Sequence, residues 1–373
     1  MVLLPPYADP SMGKAAPVKH ATVLTSVSSA TNPTNAQHVL LAAANLIIPD
    51  MESPPRISYN LTKWKQALSQ HKDQALVSYH LDGLSHGYLH GNYSRADLRT
   101  DETFPNLNSA FHYQDILTTN IQTELLAKRY LGPFNSIDAI PKQFRPFRNS
   151  PLGVIPKKHT DPPKFRTIQH LSYPEGTSVN DGIDPEDYRI QYESIQSVIS
   201  NLLNIGSSAL FWKADMADAF RTIPVHHSDW GMQGIYWRGL FFLDMYLPFG
   251  LRSAPYIFTS LMDLFVWICN HHYNLSNLSH FVDDFIYVAP PSEAWSSYKN
   301  FQNIASIFGV PFKVSKFIAP SPSIDYIGFH LDAPSMTISI PAEKRTRIST
   351  LLTSWLEISP PRSNPRSRSL SEA

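Results

Sequence analysis

Three aspartates on two short segments carry the chemistry open to this sequence. The run Ala209-Leu-Phe-Trp-Lys-Ala-Asp215-Met-Ala-Asp218-Ala-Phe220 alternates, so that Leu210, Trp212, Ala214 and Met216 share one strand face and Lys213 and Asp215 the other. Asp215 is thereby offered at a strand end, off the buried face. The run His280-Phe-Val-Asp283-Asp284-Phe-Ile-Tyr-Val sets two apolar strands around adjacent aspartates, the pattern of a tight hairpin with carboxylates at its tip. Alone, ordinary turn chemistry accounts for Asp there. Together, the two segments offer hard carboxylate oxygens from separate elements, which is what a pair of Mg²⁺ ions at a phosphoryl-transfer centre needs. Sixty-eight positions separate Asp215 from Asp283, and among them Leu247-Pro-Phe249-Gly250-Leu-Arg-Ser-Ala-Pro255 is a Gly/Pro loop that lets backbone approach a flat ligand closely.

The elements that must position these groups divide at about Pro151. Before it the pattern is helical: Trp64 and Leu68 are one turn apart, Leu117, Ile121 and Leu125 repeat every four residues, and Gly132-Pro133 stops the second helix. After it, short runs read as strands: Leu152 to Pro156, Phe165 to Gln169, Ala209 to Met216, Gly234 to Trp237 and Phe241 to Tyr246. They predict a mixed sheet with helices inserted. A longer helix is predicted from Ala254 to Cys269, with Ser253 as N-cap and Pro255 in the first turn.

Composition bounds the rest. With 373 residues, 43% of them hydrophobic, the chain is long enough for one large domain or two ordinary ones, which excludes wholesale disorder and a coiled coil. One cysteine, Cys269, excludes an internal disulfide and a Cys-based zinc site. The longest apolar stretch, Val39 to Ile48, is interrupted by Asn45 and too short to span a bilayer, and the start lacks a basic n-region. An intracellular protein with no membrane partner is expected; nothing separates cytoplasm from nucleus. Thirty-one Lys+Arg balance thirty-one Asp+Glu, yet nine basic and only two acidic residues lie between Lys128 and Arg166. Such a run is either a solvated face or an anion site.

From Ser150 to Asp332 the motifs resemble, in order, those of retroelement reverse transcriptases. Ser150-Pro-Leu-Gly-Val-Ile-Pro-Lys157-Lys158 and Lys164-Phe-Arg166 are similar to the fingers strands that hold the incoming triphosphate, and Ser178-Val-Asn180-Asp closes that region. Asp215 to Phe220 resembles the first metal-binding motif, Leu247 to Pro255 the template and nucleotide loop, and Phe281-Val-Asp283-Asp284 the aromatic-x-Asp-Asp signature. Gly309-Val-Pro-Phe-Lys313 resembles the lysine-bearing segment that follows, and Tyr326-Ile327-Gly328-Phe329 the primer grip. The wording LSYPEGTSVND and LPFGLRSAP is most similar to DIRS-like retrotransposons, then to gypsy-like LTR elements, and 60–134 resembles what precedes the polymerase in DIRS-like elements. Two positions depart: His170 stands where the DIRS-like pattern has Asp, and Phe249 where retroviral enzymes have Gln, although gypsy-like elements share the Phe.

The resemblance implies an α+β right-hand polymerase: a disordered Ser/Thr/Pro-rich segment over 1–56, a helical region over 57–134, fingers and palm over 135–332, a short, incomplete thumb over 333–358, and a disordered tail over 359–373. Within the hand, the fingers are expected over 135–206 and 226–249 and the palm over 207–225 and 250–332. It implies template-directed DNA synthesis with two Mg²⁺, or Mn²⁺, held by Asp215, Met216, Asp283 and Asp284. Lys313 joins the three aspartates as catalytic, with Lys316 one step away. Nucleotide contacts fall to Lys157, Lys158, Arg166, Asp218, Ala219, Phe220 as steric gate, Phe249 and Gly250. The implied partners are dNTPs and an RNA/DNA or DNA/DNA template-primer; oligomeric state is open. Blander roles exist: edge-strand protection for Lys157, Lys158 and Arg166, and simple core for Phe220. The rival reading is a retroelement remnant that folds and binds nucleic acid without polymerising, which His170, the short thumb and the neutral total charge favour. An RNA-templated RNA polymerase shares the palm, but the aromatic Phe220 argues against it.

Overall fold

Two capped helices open the structure, a computed structural model that describes residues 57–91, 100–157, 162–216 and 218–358. The tails expected over 1–56 and 359–373, and Lys158, lie outside the described residues. In α1 (Leu61–Ala67) the Asn60 side chain accepts from Lys63 N, and in α2 (Gln74–His86) Asp73 accepts from Leu76 N, each supplying an acceptor to an otherwise unpaired first-turn donor. Trp64 of α1 is fully buried; its indole donates to the Phe308 carbonyl at 2.9 Å and its ring lies 6.0 Å from Phe265 and 6.1 Å from Phe308.

The second helical pair belongs to a different layer. Helices α3 (Asn108–His112) and α4 (Gln114–Leu126) lead into β1 (Tyr130–Phe134), and β2 (Leu152–Pro156) pairs with β3 (Phe165–Gln169) in register Ile155 to Arg166. After α5 (Ile195–Ile205) and β4 (Leu210–Asp215), which serve the next layer, β5 (Gly234–Trp237) and β6 (Leu240–Asp244) form a hairpin whose turn residues Arg238 and Gly239 both have positive φ. β6 pairs with β1, and Leu117, Ile121 and Leu125 of α4 share a core with Leu152, Val154, Trp237 and Phe242. The expected boundary at 134 therefore falls inside this unit, because the apolar stripe of α4 is buried on fingers strands. Helix α5 in turn packs on the palm side.

The palm layer is the sheet β7-β8-β4-β9, made of β7 (Leu278–Phe281), β8 (Asp284–Ala289), β4 and β9 (Ile318–Ser321). On one face Trp212, Ala214, Phe285 and Tyr287 meet α6 (Ala254–Tyr273) and α7 (Ala294–Phe308); on the other Phe211, Ile286 and Val288 meet α5 through Val198 and Leu202. Ser253 occupies the N-cap position of α6 as expected but makes no capping bond. Next come β10 (Ser323–Tyr326), β11 (Phe329–Asp332) and β12 (Thr337–Ser339), and then α8 (Ala342–Ile358), on which Leu351, Leu352, Trp355 and Leu356 are exposed. Among the described residues the expected mixed sheet is corrected to four separate sheets whose named strands all pair antiparallel. The reason is connection length: β5–β6, β7–β8 and β10–β11 are joined by two residues, which permits only hairpins. Among the described residues no helix is long and apolar enough to cross a membrane.

Trp64→Ala removes the one side chain that both packs and hydrogen-bonds α1 to the palm. It is expected to cost about 3–5 kcal/mol in urea unfolding, and a loss below ~1 kcal/mol would mean that α1 is not part of the cooperative core.

Candidate active site

Register places the carboxylates. β4 and β8 run antiparallel with Asp215 directly opposite Asp284, and Met216 N donates to the Asp283 carbonyl at 3.1 Å. β7 and β8 are joined by Val282 and Asp283 alone, so Asp283 stands at the hairpin tip. Val282 takes φ +56°, a left-handed conformation that costs a β-branched residue energy and must be held from outside. His280 supplies one hold: its ring nitrogens face the Val282 carbonyl (3.1 Å) and the Asp263 carboxylate of α6 (2.8 Å). Glu193 supplies another, accepting from His280 N at 3.0 Å and from the Ser279 hydroxyl at 2.9 Å.

Two lysines balance this charge. Lys213 lies 3.4 Å from Asp284, and Lys316 donates to Asp215 at 2.9 Å. Burial raises the Asp283 carboxyl above its ordinary value, the charges of Asp284 and Asp215 add to the rise, and Lys316 opposes it. The bond to Asp215 in turn raises the Lys316 ammonium. Lys313, the lysine expected from the motif, reaches Asp215 only by backbone, its N–H 3.5 Å from the Asp215 carbonyl, and its side chain is exposed. Lys316 is thus the lysine on the carboxylates; its place one short 3₁₀ turn beyond Lys313 was visible in the sequence, but not its direction.

The donor set suits hard divalent cations. Asp284 Oδ1 is buried with no hydrogen bond and faces the Lys213 ammonium at 3.4 Å, and a second ammonium sits on Asp215, so the carboxylate oxygens already gather positive charge. Among the described residues no three His, Cys, Asp or Glu side chains close into a ready cage.

Three residues beyond Asp215 begins a turn that carries a small aromatic cluster. Asp218 and Ala219 have positive φ (57° and 23°), and the Phe220 that follows is half-buried, its ring 5.2 Å from Phe249 and 5.3 Å from Phe258. Phe249 itself is 58% exposed, which leaves its face open to a planar ligand. Asn180 clamps the loop beneath: its amide donates to the Gly250 carbonyl (2.9 Å) and accepts from Arg252 N (2.8 Å), fixing Gly250 at φ +98°. Lys157 and Arg166 stand exposed on the β2–β3 hairpin, with Lys157 N bonded to the Lys164 carbonyl at 2.6 Å. His170 is exposed next to that hairpin, its N–H on the Pro151 carbonyl at 2.8 Å.

The primer-grip segment forms the β10–β11 turn. Tyr326 is buried, its hydroxyl 3.4 Å from the Asp284 carbonyl, and burial raises its phenol well above the usual value. Ile327 and Gly328 take positive φ, the Gly328 carbonyl accepts from Lys344 of α8 at 3.3 Å, and Phe329 opens β11 half-buried. The sequence reading assigned no site role to His280, Glu193, Asp263, Asn180 or Lys213; Asn180 and His280, each within a quoted run, and Lys213, on the Asp215 face, carried a signal, while Glu193 and Asp263 carried none.

A finger-like hairpin and a four-stranded antiparallel sheet with an Asp215/Asp283/Asp284 edge make the arrangement of a right-hand polymerase fold. Residues 155–331 match the family described as Reverse transcriptase (RNA-dependent DNA polymerase). Over 159 residues, 39% of this chain, the sequence is 26% identical to the Retrovirus-related Pol polyprotein from transposon opus of Drosophila melanogaster, and the match spans 15% of that polyprotein. The fold is similar to the foamy viral protease-reverse transcriptase in complex with ds DNA (TM-score 0.51, 15% identity, 82% of this chain, 51% of that one). It is equally similar to the same enzyme in complex with RNA/DNA hybrid (TM-score 0.51, 13% identity, 84% of this chain, 42% of that one). Over residues 155–331 the chain therefore carries a reverse transcriptase domain of the retroelement kind.

Lys316→Met leaves Asp215 beside two further carboxylates without its counter-charge. The metal-free variant is expected to melt lower, and Mg²⁺ to raise its melting temperature by about 2 °C more than it raises the parent's, since a half-exposed ion pair is worth about 1 kcal/mol or less. Equal Mg²⁺ shifts in calorimetry would show that Lys316 does not balance the carboxylates.

Proposed function

We propose that this chain extends a primer on an RNA template, transferring deoxynucleotides by attack of the primer 3′-oxygen on the α-phosphorus of a dNTP with release of pyrophosphate. The observation that carries this is the pairing of Asp215 with Asp284 one residue from the Asp283 tip, five residues before the Phe220 that packs on Phe249. The similar foamy viral enzyme is described with ds DNA and with RNA/DNA hybrid, and both duplex types are the partners proposed here.

Asp215, Met216, Asp283 and Asp284 are the residues that would hold the ions; when bound, two Mg²⁺ (or Mn²⁺) supply Lewis acidity at the primer hydroxyl and at the departing pyrophosphate. Asp283, whose carboxyl burial has raised, is the group in this set best placed to take up a proton as cations leave. Lys157 and Arg166 approach the triphosphate from the exposed hairpin, Arg as a planar fork and Lys as a point charge. The positive φ of Asp218 and Ala219 sets the turn from which Phe220 projects, and the exposed Phe249 offers the base a flat surface. The Phe220 ring, packed between Phe249 and Phe258, leaves no space for a 2′-hydroxyl. Tyr326 to Phe329 turn the primer toward Asp284, to whose carbonyl Tyr326 is tied. The grouping with DIRS-like elements belongs to this proposal as well.

The second reading, a remnant that binds nucleic acid without polymerising, is favoured by His170, exposed beside the β2–β3 hairpin where the DIRS-like pattern has Asp. One assay separates the two: primer extension by the purified chain on a primed RNA with dNTPs and Mg²⁺, against binding of the same duplex.

Asp283→Asn is expected to abolish incorporation, by at least about 10³-fold, with circular dichroism and melting little changed, since the group sits at a hairpin tip; full activity would sink the mechanism. Phe220→Val is expected to admit rNTPs at a measurable rate while dNTP use falls less. Undiminished discrimination in single-turnover assays would remove Phe220 from the gate.

A further inference from the structure

An ionic chain runs from the buried interior to the rim of the nucleotide pocket, and it starts on a helix outside the matched residues 155–331. Glu124, at the end of α4, uses both carboxylate oxygens: Oε1 accepts from Arg129 Nη2 at 3.0 Å, and Oε2 from Arg129 Nε and Arg221 Nη2, both at 2.7 Å. Arg129 has one fork arm left, and its Nη1 reaches Asp218 at 3.2 Å. Arg221 turns its other arm to Asp244 at 2.7 Å and to the carbonyls of Tyr246 (3.2 Å) and Leu247 (3.4 Å). Its guanidinium also lies over the Tyr130 ring at 5.8 Å. Glu124 and Asp244 are buried, the two arginine side chains nearly so, and the Asp218 side chain is 62% exposed.

The ionic chain touches the Phe220 turn twice, at Asp218 and at Arg221, and from Arg221 reaches the start of the Phe249 loop. Phe220 hangs from the Asp218–Thr222 turn and Phe249 from the loop after Leu247; Leu247 N donates to the Ile223 carbonyl at 2.9 Å just past the turn, and Arg221 of the turn reaches the Tyr246 and Leu247 carbonyls while Glu124 and Arg129 hold the turn from behind. The turn needs such a hold, because Asp218 and Ala219 both sit at positive φ, where an alanine is strained. Stability alone does not account for five charged groups here, since well-packed apolar residues of like volume serve a buried site as well or better. What a forked, doubly bonded guanidinium adds is fixed geometry.

We propose that Glu124 and Arg129 are positioning residues of the proposed nucleotide site: they hold the Phe220 turn at both Asp218 and Arg221, and through Arg221, which reaches the Leu247 carbonyl, they set how the turn sits against the Phe249 loop and thereby the fit of the incoming nucleotide. This rests on the polymerase reading for its kinetic consequence but not for its structural one. Arg129→Met keeps the stem and leaves Glu124 paired with Arg221. It is expected to raise the KM for dNTP about tenfold with kcat changed less than about threefold, to weaken discrimination against rNTPs, and to speed amide hydrogen exchange across 218–222 and 246–252. Arg129→Lys is expected to recover melting temperature but not KM, because a point charge on Glu124 cannot also reach Asp218. Asp218→Asn, at the exposed end, repeats the exchange effect in the turn should Arg129→Met fail to fold. If KM, discrimination and exchange of both segments stay at parent values while only the melting temperature falls, the residues are structural and the proposal is overturned. A parent that incorporates no nucleotide defeats the polymerase reading instead, and the exchange measurement still decides the positioning.

Discussion

The antiparallel register of β4 on β8 is the constraint on which the rest depends. It sets Asp215 opposite Asp284 and leaves Asp283 at the tip of a two-residue turn. Because side chains alternate with a period of two, a slip of one residue would turn Asp215 and Lys213 into the core and Trp212 and Ala214 out of it. The register is therefore enforced by burial on both faces, Trp212 against Phe301 and Tyr287 on one side and Phe211 among Val198 and Ile286 on the other. The carboxylates gather because the apolar positions of these strands leave them no other arrangement.

Gathering like charges and straining a hairpin both cost free energy, and the surroundings offset it. Lys316 and Lys213 sit on the carboxylates, and His280, Glu193 and Asp263 tie the Val282 turn to two neighbouring elements. The scaffold behind them is rigid: α6 and α7 bury Phe265, Phe285 and Phe301 in mutual edge contacts, and α1 seals that layer with Trp64. The strained turn is thus held by interactions that lie outside it.

The cationic stretch from Lys128 to Arg166 divides by function once folded. Arg145 pairs with Asp101 and Asp138, Arg148 with Glu102, and Arg129 with Glu124, so these residues knit the fingers to the segment that precedes them. Lys157 and Arg166 lie exposed on the β2–β3 hairpin. Neither a solvated face nor an anion site describes the whole run.

Much was determined by the sequence alone. Alternation specified β4, the β2 and β3 limits and the polar face carrying Asp215; two apolar runs around Asp283-Asp284 specified the hairpin; and the Ser-Ala-Pro start specified where α6 begins. These are local properties, since period, turn chemistry and capping act within a few residues. The tertiary structure decided what depends on direction and on distant partners. It turned Lys316 rather than Lys313 onto Asp215, joined α4 and β1 to the fingers rather than to the helices before them, divided the strands among four sheets, and carried a link from Glu124 through Arg221 to Leu247. No spacing along the chain encodes such pairings, because they arise only when burial of separate apolar faces has brought the remote segments together.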